Sequence, residues 1–147
     1  MLISFSQEET PDIVKNNILP LLKNFNIFTF TGPLGAGKST IIREVLSQMR
    51  IRSAIPSPTF SYVNTYTTQN GLICYHFDLY RLKNYQEFID AGFDEYLAQK
   101  NALLFIEWPE IISSLLENKN IKKNICHLEL SYKQNDLAQR VLRIKTS

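Results

Sequence analysis

An α/β fold with a mainly parallel central sheet is predicted for this 147-residue chain by three features of its sequence. A compact segment of β-branched and aromatic residues at 27–31 reads as a strand, and the fully apolar run at 102–106 reads as a buried one. Between them, residues 38–49 place Ile41, Ile42, Val45, Leu46 and Met49 on one helical stripe. The remaining strand-like segments fall in adjacent pairs, 60–67 with 72–77 and 125–132 with 141–145, which adds antiparallel hairpins to the sheet.

Each element has a local cause. Residues 2–5 suit a short strand. Thr10-Pro11 reads as a helix start, a capping hydroxyl followed by a proline at the first helical position. Val14, Ile18 and Leu21 keep helical spacing, and Pro20 should kink or end that helix because it has no N–H. Pro56 and Pro58 mark an extended loop. Gln69-Asn70-Gly71 is a tight turn, so 60–77 reads as a hairpin. Tyr85, Phe88 and Ile89 suggest a short helix that Gly92 can cap, and 109–116 looks helical.

Composition bounds the class of protein. The chain is 44% apolar and 20% charged, which argues against disorder, and its length suits one domain spanning residues 1–147. It has no run of 18 apolar residues, so no membrane span is expected. The first lysine is Lys15, so the opening residues lack the basic start of an export signal and a cytoplasmic protein is expected. Cys74 and Cys126 then read as reduced, buried thiols. His76 and His127 lie close to them, but on a strand Cys126 and His127 would point to opposite faces, so a tetrahedral zinc site is not expected. From residue 119 onward there are seven Lys/Arg against two acids, a basic end that reads as a solvated strand face or as a docking patch for RNA or for an acidic partner.

The strongest motif is Gly32-Pro33-Leu34-Gly35-Ala36-Gly37-Lys38-Ser39, a G-x-x-x-x-G-K-[ST] loop between a strand and an amphipathic helix. Three of the five glycines lie in these eight positions. Glycines allow positive φ and bring backbone amides close to phosphates, and the helix start adds positive potential. In such a loop Lys38 reaches the β- and γ-phosphates, and Ser39 offers a hydroxyl to Mg2+. An acid at the end of a neighbouring apolar strand should complete the site. Asp78 follows 72–77 and Glu107 follows 102–106, and either suits direct coordination or the holding of a metal-bound water. Ser57-Pro58-Thr59 reads as a switch loop or an ordinary proline-rich turn. Arg81 suits a phosphate or an acid partner, and Trp108 suits core, a base or a partner contact. No Asn-Lys-x-Asp guanine signature is present, which favours ATP.

Four motifs, in this order and spacing, together resemble the bacterial TsaE (YjeE) ATPase family: the glycine-rich loop, Ser57-Pro58-Thr59-Phe60, His76-Phe77-Asp78-Leu79-Tyr80-Arg81-Leu82 and Glu107-Trp108-Pro109. Gly92-Phe93-Asp94-Glu95-Tyr96-Leu97 is similar too. The resemblance implies a P-loop nucleotide-binding fold with ATP and Mg2+ as cofactors. It implies slow ATP hydrolysis that resets the TsaB and TsaD proteins between turnovers, as they make threonylcarbamoyl-adenosine beside the tRNA anticodon. tRNA would be met only through that complex, and the free chain would be a monomer.

By position, the resemblance gives Lys38, Asp78, Glu107 and Thr59 to catalysis, and Ser39, Glu107 and Asp78 to the metal. Nucleotide contacts would come from Gly32, Gly35, Ala36, Gly37, Lys38, Ser39, Thr40 and Trp108, with Thr10 and Tyr132 on the base side. Three departures stand out: Pro33 replaces the acid common in the family, Ser39 stands where Thr is usual, and Pro20 interrupts the first helix, next to the Thr10 region. The alternatives are a small-molecule kinase, which would carry an arginine-bearing lid not visible here, and a nucleotide-dependent RNA-binding module using the basic end.

Overall fold

The computed structural model describes residues 1–55 and 62–146, with residues 52–55 as backbone alone. Eight strands form one sheet in the order β1-β8-β7-β2-β6-β5-β4-β3. They are β1 (Leu2–Ser6), β2 (Ile27–Thr31), β3 (Ile51–Ile55), β4 (Val63–Thr68), β5 (Ile73–Asp78), β6 (Ala102–Glu107), β7 (Ile125–Lys133) and β8 (Asp136–Thr146). The centre is parallel, as the alternating pattern predicts: β2 pairs with β6 and β7, and β6 with β5. The flanks are antiparallel through β3–β4, β4–β5, β7–β8 and β1–β8.

Alternation of side chains makes two cores from these strands. On one face, Phe28, Phe30, Phe105, Cys126 and Leu128 pack against Ile41, Ile42, Val45 and Leu46 of α2 (Lys38–Gln48). On the other face, Ile27, Phe77, Leu104, Ile106 and Ile125 meet Phe88 of α3 (Tyr85–Asp90) and Leu97, Ile112 and Leu116. All six positions of β6 are buried, so Glu107 ends a strand that water does not reach. Both cysteines are buried in the first core, where desolvation pushes each thiol up to about 11.

Several boundaries differ from the sequence reading. The first helical segment starts one turn early. Ser6 is its cap, with Glu9 accepting from both the Ser6 amide at 2.9 Å and its hydroxyl at 3.0 Å, while the Thr10 hydroxyl donates to Gln7 O at 2.7 Å. Helix α1 (Thr10–Ile13), a single α turn, widens into a π turn at Val14–Ile18, then tightens to 3-10 geometry at Leu19–Lys23. The widening lies directly ahead of Pro20, whose missing N–H breaks the regular ladder. The hairpin forms as β4 and β5. Strand β3 was not expected, since Ile51-Arg-Ser-Ala-Ile carries weak alternation and pairs only at the sheet edge, with a register shift between Ile51 and Ser53. Strand β8 runs five residues further back than 141, because pairing with both β1 and β7 extends it. A short helix, α5 (Lys119–Lys122), also went unpredicted. Its Asn118 cap accepts from Asn120 N–H at 2.9 Å. The 109–116 helix forms as a 3-10 turn, Pro109–Ile112, followed by α4 (Ser113–Leu116).

Candidate functional site

The site lies beyond the carboxyl ends of the parallel strands, where β2 passes into the glycine-rich loop and the loop into α2. Gly32 has φ +142°, and a Cβ there would lie 2.2 Å from Leu130 O on β7, so only glycine lets the loop leave β2 so close to its neighbour. Gly37 has φ +102° and accepts the Ile41 N–H at 3.0 Å, opening α2 with its first amides turned toward the loop.

Lys38 is the first residue of α2, and its side chain folds back under the loop. Its Nζ donates to Gly32 O and to Pro33 O, the latter at 3.0 Å. Pro33 thus contributes a carbonyl where it has lost an amide. The Nζ also lies 4.0 Å from the centroid of the Trp108 ring. Burial pulls the Lys38 pKa below the ordinary lysine value, against the opposing charges of Glu107, Glu110 and Asp78.

Ser39, one residue on, donates its hydroxyl to Glu107, with Oγ 2.8 Å from each carboxylate oxygen. Glu107 Oε2 also lies 2.6 Å from His76 Nε2. Burial works to raise the Glu107 pKa. The hydrogen bonds from His76 and Ser39 and the charges of His76 and Lys38 outweigh it and hold the carboxyl below its ordinary value. Asp78 is the register partner of Glu107 across β5 and β6, and it is exposed. Its Oδ1 accepts from Tyr80 N–H at 3.1 Å.

Two cavities meet at the loop. A smaller one of about 230 Å³ is lined by Gly35, Gly37, Lys38, Ser39, Thr40, Asp78 and Glu107, which brings together most of the phosphate and metal residues expected from the sequence. A larger one of about 330 Å³ shares Gly35, Gly37 and Thr40 and extends over Thr10, Ala36 and Arg140. Thr10 therefore lies in the wall of this cavity. Tyr132 stands behind the loop: its hydroxyl lies 3.0 Å from where a Cβ on Gly35 would be, and Arg140 covers its ring at 4.3 Å. Trp108 lies beside the Lys38 amine and makes a tilted ring contact with Tyr80, 4.9 Å between centroids and 45° between planes. Its φ of +58° is left-handed, which costs a non-glycine residue about 1 kcal/mol and persists where the surroundings fix it, here through its N–H to Phe30 O at 3.3 Å. Arg81 is exposed. Ser57, Pro58, Thr59 and Phe60 lie outside the described residues.

His76 is the residue that sequence reasoning left without a role. Its place two residues before Asp78 on one strand was the available signal, because that spacing puts both side chains on the face that Glu107 shares.

Strand, loop, helix and a buried acid on the adjacent strand define an α/β protein of the P-loop class. The family profile described as "Threonylcarbamoyl adenosine biosynthesis protein TsaE" matches residues 5–141, and the chain belongs to that family, which serves tRNA threonylcarbamoyladenosine biosynthesis. Among curated relatives, the TsaE protein of Rickettsia felis is 41% identical over 126 residues, which is 85% of this chain and 71% of that protein. The TsaE protein of Aquifex aeolicus is 36% identical over 109 residues, 71% of this chain and 73% of the relative. The crystal structure of Bacillus subtilis YdiB superposes with a TM-score of 0.57 at 21% identity, covering 97% of this chain and 83% of that one, a likeness of fold. Among the described residues no helix is long and apolar enough to cross a membrane.

Proposed function

We propose that the chain binds ATP with Mg2+, hydrolyses it slowly, and uses the cycle to support turnover of the TsaB–TsaD pair during threonylcarbamoyl-adenosine formation on tRNA. The observation that carries this reading is the bond between Ser39 and Glu107 directly beneath the loop. A hydroxyl whose proton is committed to a buried carboxylate keeps its lone pairs for a hard cation, which takes oxygen ligands of this kind. The donor set therefore fits Mg2+, with Ser39 and Glu107 as its holders and Asp78 as the second acid. When bound, the ion would neutralise charge on the β- and γ-phosphates.

The chain's own residues supply the rest. Lys38 would exchange the carbonyls of Gly32 and Pro33 for phosphate oxygens, a stronger, charge-assisted pairing. Amides of Gly35, Ala36, Gly37, Ser39 and Thr40 would cradle the phosphates. The larger cavity, walled by Thr10 and backed by Tyr132, would take the base. Trp108 would close the phosphate side through Lys38 and Tyr80. Thr59 would act from the switch loop.

The test is ATP turnover by the purified chain, alone and with the TsaB–TsaD pair from the same source, with Lys38→Ala as control. Slow turnover stimulated by the pair is expected. Tight ATP binding without stimulation would overturn the partner role and direct attention to hydroxyl acceptors for the γ-phosphate.

A further inference from the structure

Glu107 is held from two sides, and only one of them belongs to the glycine-rich loop. Ser39 approaches from α2. His76 approaches from β5, its Nε2 at 2.6 Å from Oε2. The parallel register sets this contact: Asp78 lies opposite Glu107 and His76 opposite Phe105, so His76 sits one step down the same face and reaches diagonally across to the carboxylate. The side chains of His76 and Glu107 are 12% and 5% exposed, so water is a poor substitute for either partner. A carboxylate accepts only, so the imidazole must present Nε2–H, and it does so whether or not the ring is charged.

We propose that His76 is a positioning residue that orients the Glu107 carboxylate toward Ser39 for the metal ion of the bound nucleotide. The inference rests on the nucleotide–metal reading above. A carboxylate with one fixed oxygen keeps its other lone pairs aimed at the Ser39 hydroxyl and the space above it. Freed from His76, the group rotates in its pocket, and the nearest cation competing for it is Lys38. Such outer partners of metal-holding groups commonly contribute 10- to 100-fold in metal affinity. His76 itself would touch neither nucleotide nor ion.

The test is the affinity of a fluorescent ATP analogue, measured in EDTA and along a Mg2+ titration, with Mn2+ affinity of the nucleotide complex read by electron paramagnetic resonance. His76→Leu keeps bulk and removes the N–H. His76→Gln restores an N–H near the position of Nε2, whereas His76→Asn places one too short to reach. Leu and Asn variants should raise the metal midpoint roughly 10- to 100-fold, leave the EDTA affinity within about twofold, and be rescued by Gln. An unchanged midpoint in His76→Asn and His76→Leu would overturn the inference alone. So would an equal loss with and without metal, or a Gln variant no better than Asn. If the wild-type chain gains no nucleotide affinity from Mg2+, the nucleotide–metal reading falls with it.

Discussion

The Ser39 hydroxyl and the Glu107 carboxylate, 68 residues apart in sequence, meet with Oγ at 2.8 Å from both carboxylate oxygens. Neither is brought to the other by its own neighbourhood. Ser39 is fixed by the first turn of α2, and Glu107 by the end of a strand buried at every position. The loop and the acid are therefore registered to each other by the pairing of β2 with β6, in which Phe30 lies beside Glu107. What ties the two together is sheet register, and a one-residue slip would turn the carboxylate to the other face.

That relationship makes Glu107→Gln informative. The amide keeps the volume and can still accept from Ser39, but it offers a cation no negative charge. ATP hydrolysis in Mg2+ should fall by about 100-fold, the scale of losing one preorganised electrostatic contact, with nucleotide affinity in EDTA little changed. Turnover measured across a magnesium titration checks this. Normal hydrolysis would transfer the metal-side role to Asp78.

Gly32→Ala should damage the loop without replacing any phosphate- or metal-facing side chain. Its Cβ would lie 2.2 Å from Leu130 O, a backbone atom that cannot move aside without disturbing β7. The φ of +142° adds strain of about 1–3 kcal/mol for any residue with a side chain. A drop in thermal midpoint together with weakened ATP binding is expected. Gly71→Ala, also at positive φ but with nothing within 4 Å of the added carbon, serves as the comparison and should retain ATP binding.

The buried thiols predict an alkaline limb. Desolvation raises Cys74 and Cys126 to about 11 in the folded chain against an ordinary value of 9.0. The folded state thus holds protons that the unfolded state releases first. Their contribution to stability is complete below pH 9 and is lost as pH rises toward 11. Urea midpoints should fall across that window, and less steeply in a Cys74→Ala, Cys126→Ala double variant. In native protein at pH 8 neither thiol should react with a maleimide.

How much of this was legible in the sequence depends on what fixes each part. The glycine-rich loop, Lys38, Ser39 and the two strand-end acids were legible because local residue types and spacing specify them. The π turn ahead of Pro20 and the Ser6 cap were not, because a proline signals disruption without saying which register absorbs it. Strand β3 escaped because edge pairing with β4, not its own pattern, makes it a strand. His76 escaped for the same reason at the level of the site: its contact with Glu107 exists only once β5 and β6 are aligned. The division of the loop's surroundings into two cavities also needed the fold, since Arg140 joins Thr10 there from the far end of the chain.

Lys38 separates binding from stability. Without a ligand, a charged amine is held in a largely buried place by two carbonyls and an aromatic face, and desolvation already weakens its hold on the proton. Lys38→Met keeps the apolar stem and removes that burden, so the ligand-free thermal midpoint should stay level or rise, the pattern expected where function holds a residue against stability. ATP affinity should fall by roughly 10- to 100-fold, matching the loss of charge-assisted bonds of about 1.5–3 kcal/mol. Calorimetric titration beside a thermal melt measures both. A variant that melts early and binds ATP as the wild type does would make Lys38 a fixture of the loop and leave the phosphates to the backbone amides.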